Sequence, residues 1–122
     1  MDRRRQRIGA RGEQLALEHF ERLGFTLLDR NYRTRWGELD LILRDGDALV
    51  FAEVKTALGN ARVAPFDRLH AAKQLQVRKI ARAWLHERGG RPRAAEIRFD
   101  AVGVTLDHAG RLLALEHLEG AF

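Results

Sequence analysis

Apolar positions repeat first with a helical period. Ala16, Leu17, Phe20 and Leu23 form a stripe, and the helix they predict spans residues 3–23, stopped by Gly24. Residues 25–33 then predict a strand, with Phe25, Leu27 and Leu28 apolar and Thr26 and Tyr32 suited to a pleated surface. Two further strands, 37–44 and 47–56, flank Asp45-Gly46, a strong hairpin signal. Residues 57–64 read as a loop. A second helix starts at Pro65, a residue suited to a first turn, and runs to about Glu87, where Gly89-Gly90-Arg91-Pro92 ends it. Residues 97–106 and 112–118 supply two last strands, joined across Asp107-His108-Ala109-Gly110. The order α-β-β-β-α-β-β predicts an α/β domain with one central mixed sheet flanked by helices.

The hairpin can be laid out by parity. With Asp45-Gly46 as a two-residue turn, paired positions sum to 91, so residue 40 lies opposite 51 and 38 opposite 53. One face then carries Gly37, Leu39, Leu41, Leu43, Ala48, Val50, Ala52 and Val54, wholly apolar and in need of a cover. The other carries Glu38, Asp40, Ile42, Arg44, Asp47, Leu49, Phe51, Glu53 and Lys55. Asp40 and Glu53 are diagonal neighbours there, with Lys55 one step beyond Glu53. A solvated face neutralised by Lys55 and Arg44 is one account, but Ile42, Leu49 and Phe51 on the same side demand burial. The other account is a divalent-cation site at the edge of a covered face, since oxygen-only carboxylate ligands suit Mg²⁺ or Mn²⁺.

Two more residues point the same way. Glu13 shares the core-facing stripe of the first helix, where it either meets the helix dipole or serves as a ligand. Lys73 lies at helical spacing with Leu69, Val77, Ile80 and Trp84, so it either snorkels to solvent or serves the site.

Charge and composition narrow the class of partner. The chain has 122 residues, 22 basic against 17 acidic, and a net charge of +5. That balance favours a polyanion, because neutralising phosphates releases counterions. Only three of the basic residues are lysine (Lys55, Lys73, Lys79), and Lys79 reads as surface charge alone. There is no cysteine, which excludes disulfides, thiolate metal sites and cysteine nucleophiles. No apolar run reaches the roughly 20 residues of a membrane span, and residues 1–8 are basic without an apolar segment after them, unlike a secretory signal. A cytoplasmic protein without membrane contact is expected, one domain over 1–122 with a core at about 9–118 and a basic N-terminal extension over 1–8.

Gly37-Glu38-Leu39-Asp40-Leu41-Ile42, followed by Val50-Phe51-Ala52-Glu53-Val54-Lys55-Thr56, resembles the PD-(D/E)XK nuclease superfamily, the restriction-endonuclease-like fold. More narrowly, the chain resembles the YraN family of small bacterial uncharacterised proteins. The Arg11-Gly12-Glu13 helix start, Asn31-Tyr32-Arg33, Lys73-Gln74 and Arg98-Phe99-Asp100 carry that likeness over residues 9–118. The resemblance implies an α-β-β-β-α-β core similar to Holliday-junction resolvases. In it Asp40 and Glu53 would ligate Mg²⁺ or Mn²⁺ with the Val54 carbonyl, and Glu13 would be a further ligand. Lys55 would orient the attacking water or stabilise charge on the phosphorane, so Asp40, Glu53 and Lys55 form the catalytic set. Lys73 and Gln74, with Arg35 and Arg11, would touch the phosphate backbone.

Three positions depart from the pattern. Leu39 stands where the superfamily has Pro, Ala57 where the family usually has Arg, and Trp36 where a small or basic residue is usual. Trp36 either stacks a base or packs locally. Asp100 reads as structural, paired with an Arg. The expectation is therefore a metal-dependent, nuclease-like protein acting on DNA or structured nucleic acid, with a homodimer suited to a junction-type substrate. The alternative is a non-catalytic nucleic-acid-binding module on the same scaffold.

Overall fold

The computed structural model describes residues 3–59 and 71–122. Its elements are α1 (Arg3–Arg22), β1 (Thr26–Thr34), β2 (Gly37–Asp45), β3 (Ala48–Leu58), α2 (Ala71–Glu87), β4 (Glu96–Leu106) and β5 (Leu112–Leu118). The strands form one sheet in the order β1-β2-β3-β4-β5. Neighbours are antiparallel, except that β3 and β4 run parallel from Ala48↔Glu96 to Leu58↔Leu106. A parallel pair needs a crossover rather than a tight turn, and the segment containing α2 provides it. None of the helices among the described residues is long and apolar enough to cross a membrane.

Each face of the sheet is covered by one helix, as the element order predicts. On one side Leu15, Ala16, Leu17 and Phe20 of α1 pack on Leu41, Leu43, Val50, Ala52, Val102 and Val104. On the other, Val77, Ile80, Ala81 and Trp84 of α2 pack on Leu39, Ile42, Leu49, Phe51 and Phe99. Ile42, Leu49 and Phe51 are fully buried, so the solvated-face account of the hairpin is overturned. The strand β3 outruns its expected end at residue 56, because pairing with β4 continues to Leu58. The expected loop over 60–64 and the expected first turn of the second helix at Pro65 lie outside the described residues.

The hairpin register differs from the expected one. The turn is Gly46-Asp47, with Asp45 paired to Ala48, so partners sum to 93. Gly46 has φ +58 while Asp47 does not take a positive φ, the pattern of a type II′ turn with Gly first. The shift is two residues, so each residue keeps its face, but position 40 moves from opposite 51 to the row of Glu53.

A second correction concerns Leu39, expected beside Leu41 on the apolar face. It packs instead with Ile42 on the α2 side, while Leu41 and Leu43 face α1. The in–out alternation therefore slips by one residue at Asp40. Beside that slip, between the pairs Arg30↔Leu41 and Tyr32↔Leu39, Asn31 takes a left-handed φ of +53, a conformation that Asn tolerates better than most residues. The distortion releases the acids of β2 from a plain pleat.

Gly12 is buried in the middle of α1, and a Cβ there would collide with the side chain of Thr56 on β3. Arg11-Gly12-Glu13 is accordingly a mid-helix contact rather than a helix start. An interior Gly costs a helix up to about 1 kcal/mol relative to Ala, whereas overpacking typically costs about 1–3 kcal/mol. Steric cost dominates, so Gly12→Ala should lower stability by about 1–2 kcal/mol in urea unfolding. Adding Thr56→Ala should restore part of the loss. A single variant more stable than wild type would show that the helix does not need this approach.

Candidate functional site

The slip at Asp40 and the close approach of α1 bring four carboxylates to one end of the β2–β3 hairpin. Glu13 comes from α1, Glu38 and Asp40 from β2, and Glu53 from β3. The charge of Glu38 raises the pKa of the other three, and Glu13 adds to that of Asp40 and Glu53. Asp40 is pushed up to about 8, first by burial and then by the charge of Glu53. Glu53 is raised by burial, against the opposing pull of Lys73. Glu13 is raised by burial and by Glu38.

The partners these acids do have are few and specific. The Val54 amide donates to Asp40 Oδ2 at 2.7 Å. This carboxylate takes a β3 donor where the regular ladder stops at Leu41↔Ala52. Lys73 Nζ lies 3.3 Å from Glu53 Oε2, while Glu53 Oε1 is buried without a hydrogen-bond partner among the described residues. Asn31, with its amide oriented to satisfy its neighbours, donates to Glu13 Oε1 at 2.6 Å and to Glu38 Oε1 at 3.1 Å. On its outer side Glu38 pairs with exposed Arg33 at 3.3 Å.

Of the residues singled out from the sequence, Asp40, Glu53, Glu13 and Lys73 meet here. Lys73 is half-buried with its ammonium on Glu53, so it does not simply snorkel to solvent. Glu13 lies more than two turns inside α1, beyond the reach of the N-terminal dipole, which removes that account of it. Lys55 follows on β3 with its side chain exposed, and Gln74 is half-buried on α2. Arg11 is not part of the cluster: its Nε donates to the Gly110 carbonyl at 3.3 Å, in the β4–β5 turn. Arg35 instead lies over the Trp36 ring, 4.6 Å from its centroid.

Two contributors were given no role by sequence reasoning, although Asn31 lies in the segment that carries the family likeness. Asn31 cross-links α1 and β2 through two carboxylates, and an Asn inside a strand pattern was the available signal. Gln76 donates its amide to the Trp36 carbonyl, which fastens the β1–β2 turn to α2. Nothing in the local pattern marks that contact.

Asp100 is structural, as expected. It accepts two bonds from Arg98 (2.8 and 3.0 Å), one from the Gly120 amide (3.1 Å) and pairs with His117 at 2.7 Å. Burial opposes its ionisation, but those bonds outweigh burial and hold the carboxyl below its ordinary value. Among the described residues, no group of three or more His, Cys, Asp or Glu side chains forms a ready-built metal cage.

Residues 12–104 match the family described as "Uncharacterised protein family UPF0102". A UPF0102 protein of Rhodococcus jostii is 39% identical over 115 residues, covering 94% of this chain and 95% of its own. One from Frankia alni is 41% identical over 120 residues, covering 98% of each. A third, from Geobacter metallireducens, is 37% identical over 115 residues, covering 94% and 91%.

The raised ionisation of Asp40 has a thermodynamic consequence. In the unfolded chain this carboxyl loses its proton near pH 4, but the folded protein keeps it to about pH 8. Between those values the folded state binds the extra proton, so the stability conferred by Asp40 is full below about pH 4 and is lost as pH rises through about 8. Asp40→Asn stays neutral throughout and its amide oxygen can still accept from Val54. Without divalent cations, the variant should gain about 2–4 kcal/mol on wild type between pH 5 and 8.5, measured by urea unfolding at each pH. Parallel pH profiles for the two proteins would contradict a buried, destabilised carboxylate.

Proposed function

This chain belongs to the UPF0102 family, and from that footing we propose that its carboxylate cluster is the centre of a divalent-cation-dependent nuclease on a restriction-endonuclease-like scaffold. The observation that carries the proposal is that buried Glu53 and half-buried Asp40 share one end of the hairpin with too little compensating charge among the described residues. Glu53 Oε1 has no partner among the described residues, and Asp40 holds its proton to about pH 8. Burying a carboxylate costs several kcal/mol unless it is paired, hydrogen-bonded or bound to a cation. A site that keeps such a pair without a full set of partners is suited to a cation that arrives separately.

The donor set fits Mg²⁺ or Mn²⁺. Both are hard cations that take carboxylate oxygen, and Mg²⁺ usually uses one or two protein carboxylates, completing its shell with water and substrate phosphate. Asp40 and Glu53 would hold the ion, with the Val54 carbonyl beside them and Glu13 behind, held in place by Asn31. When bound, such an ion supplies a more acidic water and charge neutralisation at a phosphodiester. Lys55, one alternation beyond Glu53 on the same strand, orients the water or steadies the negative charge that develops on phosphorus. Lys73 balances Glu53 and, on this reading, also meets a phosphate oxygen of the substrate. The α-β-β-β-α-β order, with a central hairpin and a parallel β3–β4 pair, supports the finer fold assignment.

The test is hydrolysis of branched and single-stranded DNA with Mg²⁺ or Mn²⁺, comparing wild type with Glu53→Ala and Lys55→Ala. Wild type should cut only with the metal, and each substitution should lower the rate by about 100-fold or more, as removal of one preorganised charge does in other sites. Equal product from all three proteins would mean a contaminating activity and sink the assignment. Salt-sensitive binding of DNA by wild type without any cutting would assign the protein to the non-catalytic binding class instead.

A further inference from the structure

We infer that the cleft between the β1–β2 turn and α2 binds a single-stranded nucleic-acid segment, one base stacking on Trp36 and backbone phosphates meeting Lys79 and Arg82. The inference rests on the nuclease reading for where the strand leads, though not for the binding itself. The cleft has a volume of about 730 Å³ and is lined by Arg35, Trp36, Lys79, Arg82, His86 and Glu87, with Ala83 as a small residue in its wall. Three permanent cations and a histidine thus face a single carboxylate around one indole ring.

The aromatic platform is fixed rather than loose. Trp36 packs by part of its surface against the α2-side core. Its amide donates to Thr34 Oγ1 at 3.1 Å, and its carbonyl accepts from Gln76 of α2. Gly37, the next residue, has φ +132, a conformation that strains any residue with a Cβ, and a Cβ there would meet the amide of Gln76 that holds the turn to the helix. Arg35 Cζ lies 4.6 Å from the indole centroid, an arrangement in which a guanidinium and a flat base share one ring system.

The cleft is also aligned with the carboxylates. Lys73, Gln76, Lys79 or Ile80, Ala83 and His86 follow at helical spacing along one side of α2. Lys73 touches Glu53, Gln76 holds the Trp36 carbonyl, and Lys79 to His86 line the cleft. At about 1.5 Å per residue, Lys79 is about 9 Å from Lys73 and His86 about 20 Å from it along the axis. A strand whose phosphate reaches the acids therefore has room for its next few nucleotides in the cleft. A duplex keeps its base faces stacked within itself, so the ring selects an unpaired segment.

The test uses the full-length chain in EDTA, where no cleavage complicates binding. A fluorescein-labelled 12-nucleotide single strand is titrated by anisotropy, beside a blunt duplex of equal length and a free mononucleotide. The single strand should bind at least about 10-fold more tightly than either. Trp36→Ala should weaken it by about 10-fold or more, and Trp36→Phe should recover most of the loss, because stacking needs a ring rather than an indole. Lys79→Gln and Arg82→Gln should each reduce the salt dependence of binding by about one phosphate contact. Circular dichroism and thermal melting of each variant separate loss of binding from loss of fold.

Unchanged affinity of a folded Trp36→Ala, or equal binding of duplex or mononucleotide, would overturn the inference. The two proposals fail separately. If no metal supports cutting but Trp36→Ala loses the single strand, the nuclease reading falls and the cleft stands. If wild type and Trp36→Ala cut and bind alike, the cleft falls and the nuclease reading stands.

Discussion

Two carboxylates drawn out of full contact with water at one end of a hairpin are the constraint around which this domain is arranged. Glu53 is buried and Asp40 half-buried at the end of a hairpin whose apolar residues fill two cores. In a sheet built only for stability such a pair would be replaced, because desolvation and like-charge repulsion both act against it. What offsets them is a small set of groups drawn from different elements: the Val54 amide on Asp40, the Lys73 ammonium on Glu53, and Asn31 holding Glu13 and Glu38. Removing any one of these donors would leave an acid less well supported than before.

The backbone yields where the acids require it. A regular β2 would keep Leu39 and Leu41 on one face, but the alternation slips at Asp40 and Leu39 turns to the α2 side. Its neighbour strand accommodates this with a left-handed Asn31, and α1 comes close enough to present Glu13 because Gly12 has no Cβ to strike Thr56. Each device weakens local regularity, and all three converge on one end of one hairpin. Strain and unsatisfied polarity collected at a single place are more readily explained by a site than by packing.

How much of this was legible beforehand differs by level. Periodicity gave the helices, the strands and the mixed sheet, because each element buries a face whose spacing is written in consecutive residues. Parity alone put Asp40 and Glu53 on the same side and exposed the conflict with Ile42, Leu49 and Phe51. The hairpin register was missed by two residues, since Asp45-Gly46 and Gly46-Asp47 are both acceptable turn pairs and pairing with neighbouring strands decides between them. The turn of Leu39 depends on a φ value in another strand, and the Gln76 bond to Trp36 spans 40 residues. Contacts of that kind leave no periodic trace.

Charge distribution along α2 completes the physical picture. A basic chain is ordinarily read as a diffuse attractant for polyanions, yet here the cations are sorted. Lys73 is spent internally on Glu53, whereas Lys79, Arg82 and His86 are gathered with Arg35 around Trp36. At the acids themselves, Lys73 offsets the charge of Glu53 and Asp40 holds its proton to about pH 8. On the proposed reading, a strand would have its phosphates held by the cations of α2, on a rigid element that fixes their distance from the acids. One helix carries both parts: its first turn touches the carboxylates and its later turns supply the cations. Gln76, between the two, ties the aromatic turn to α2, so the turn that carries Trp36 and the end of the helix that meets Glu53 move as one connected unit.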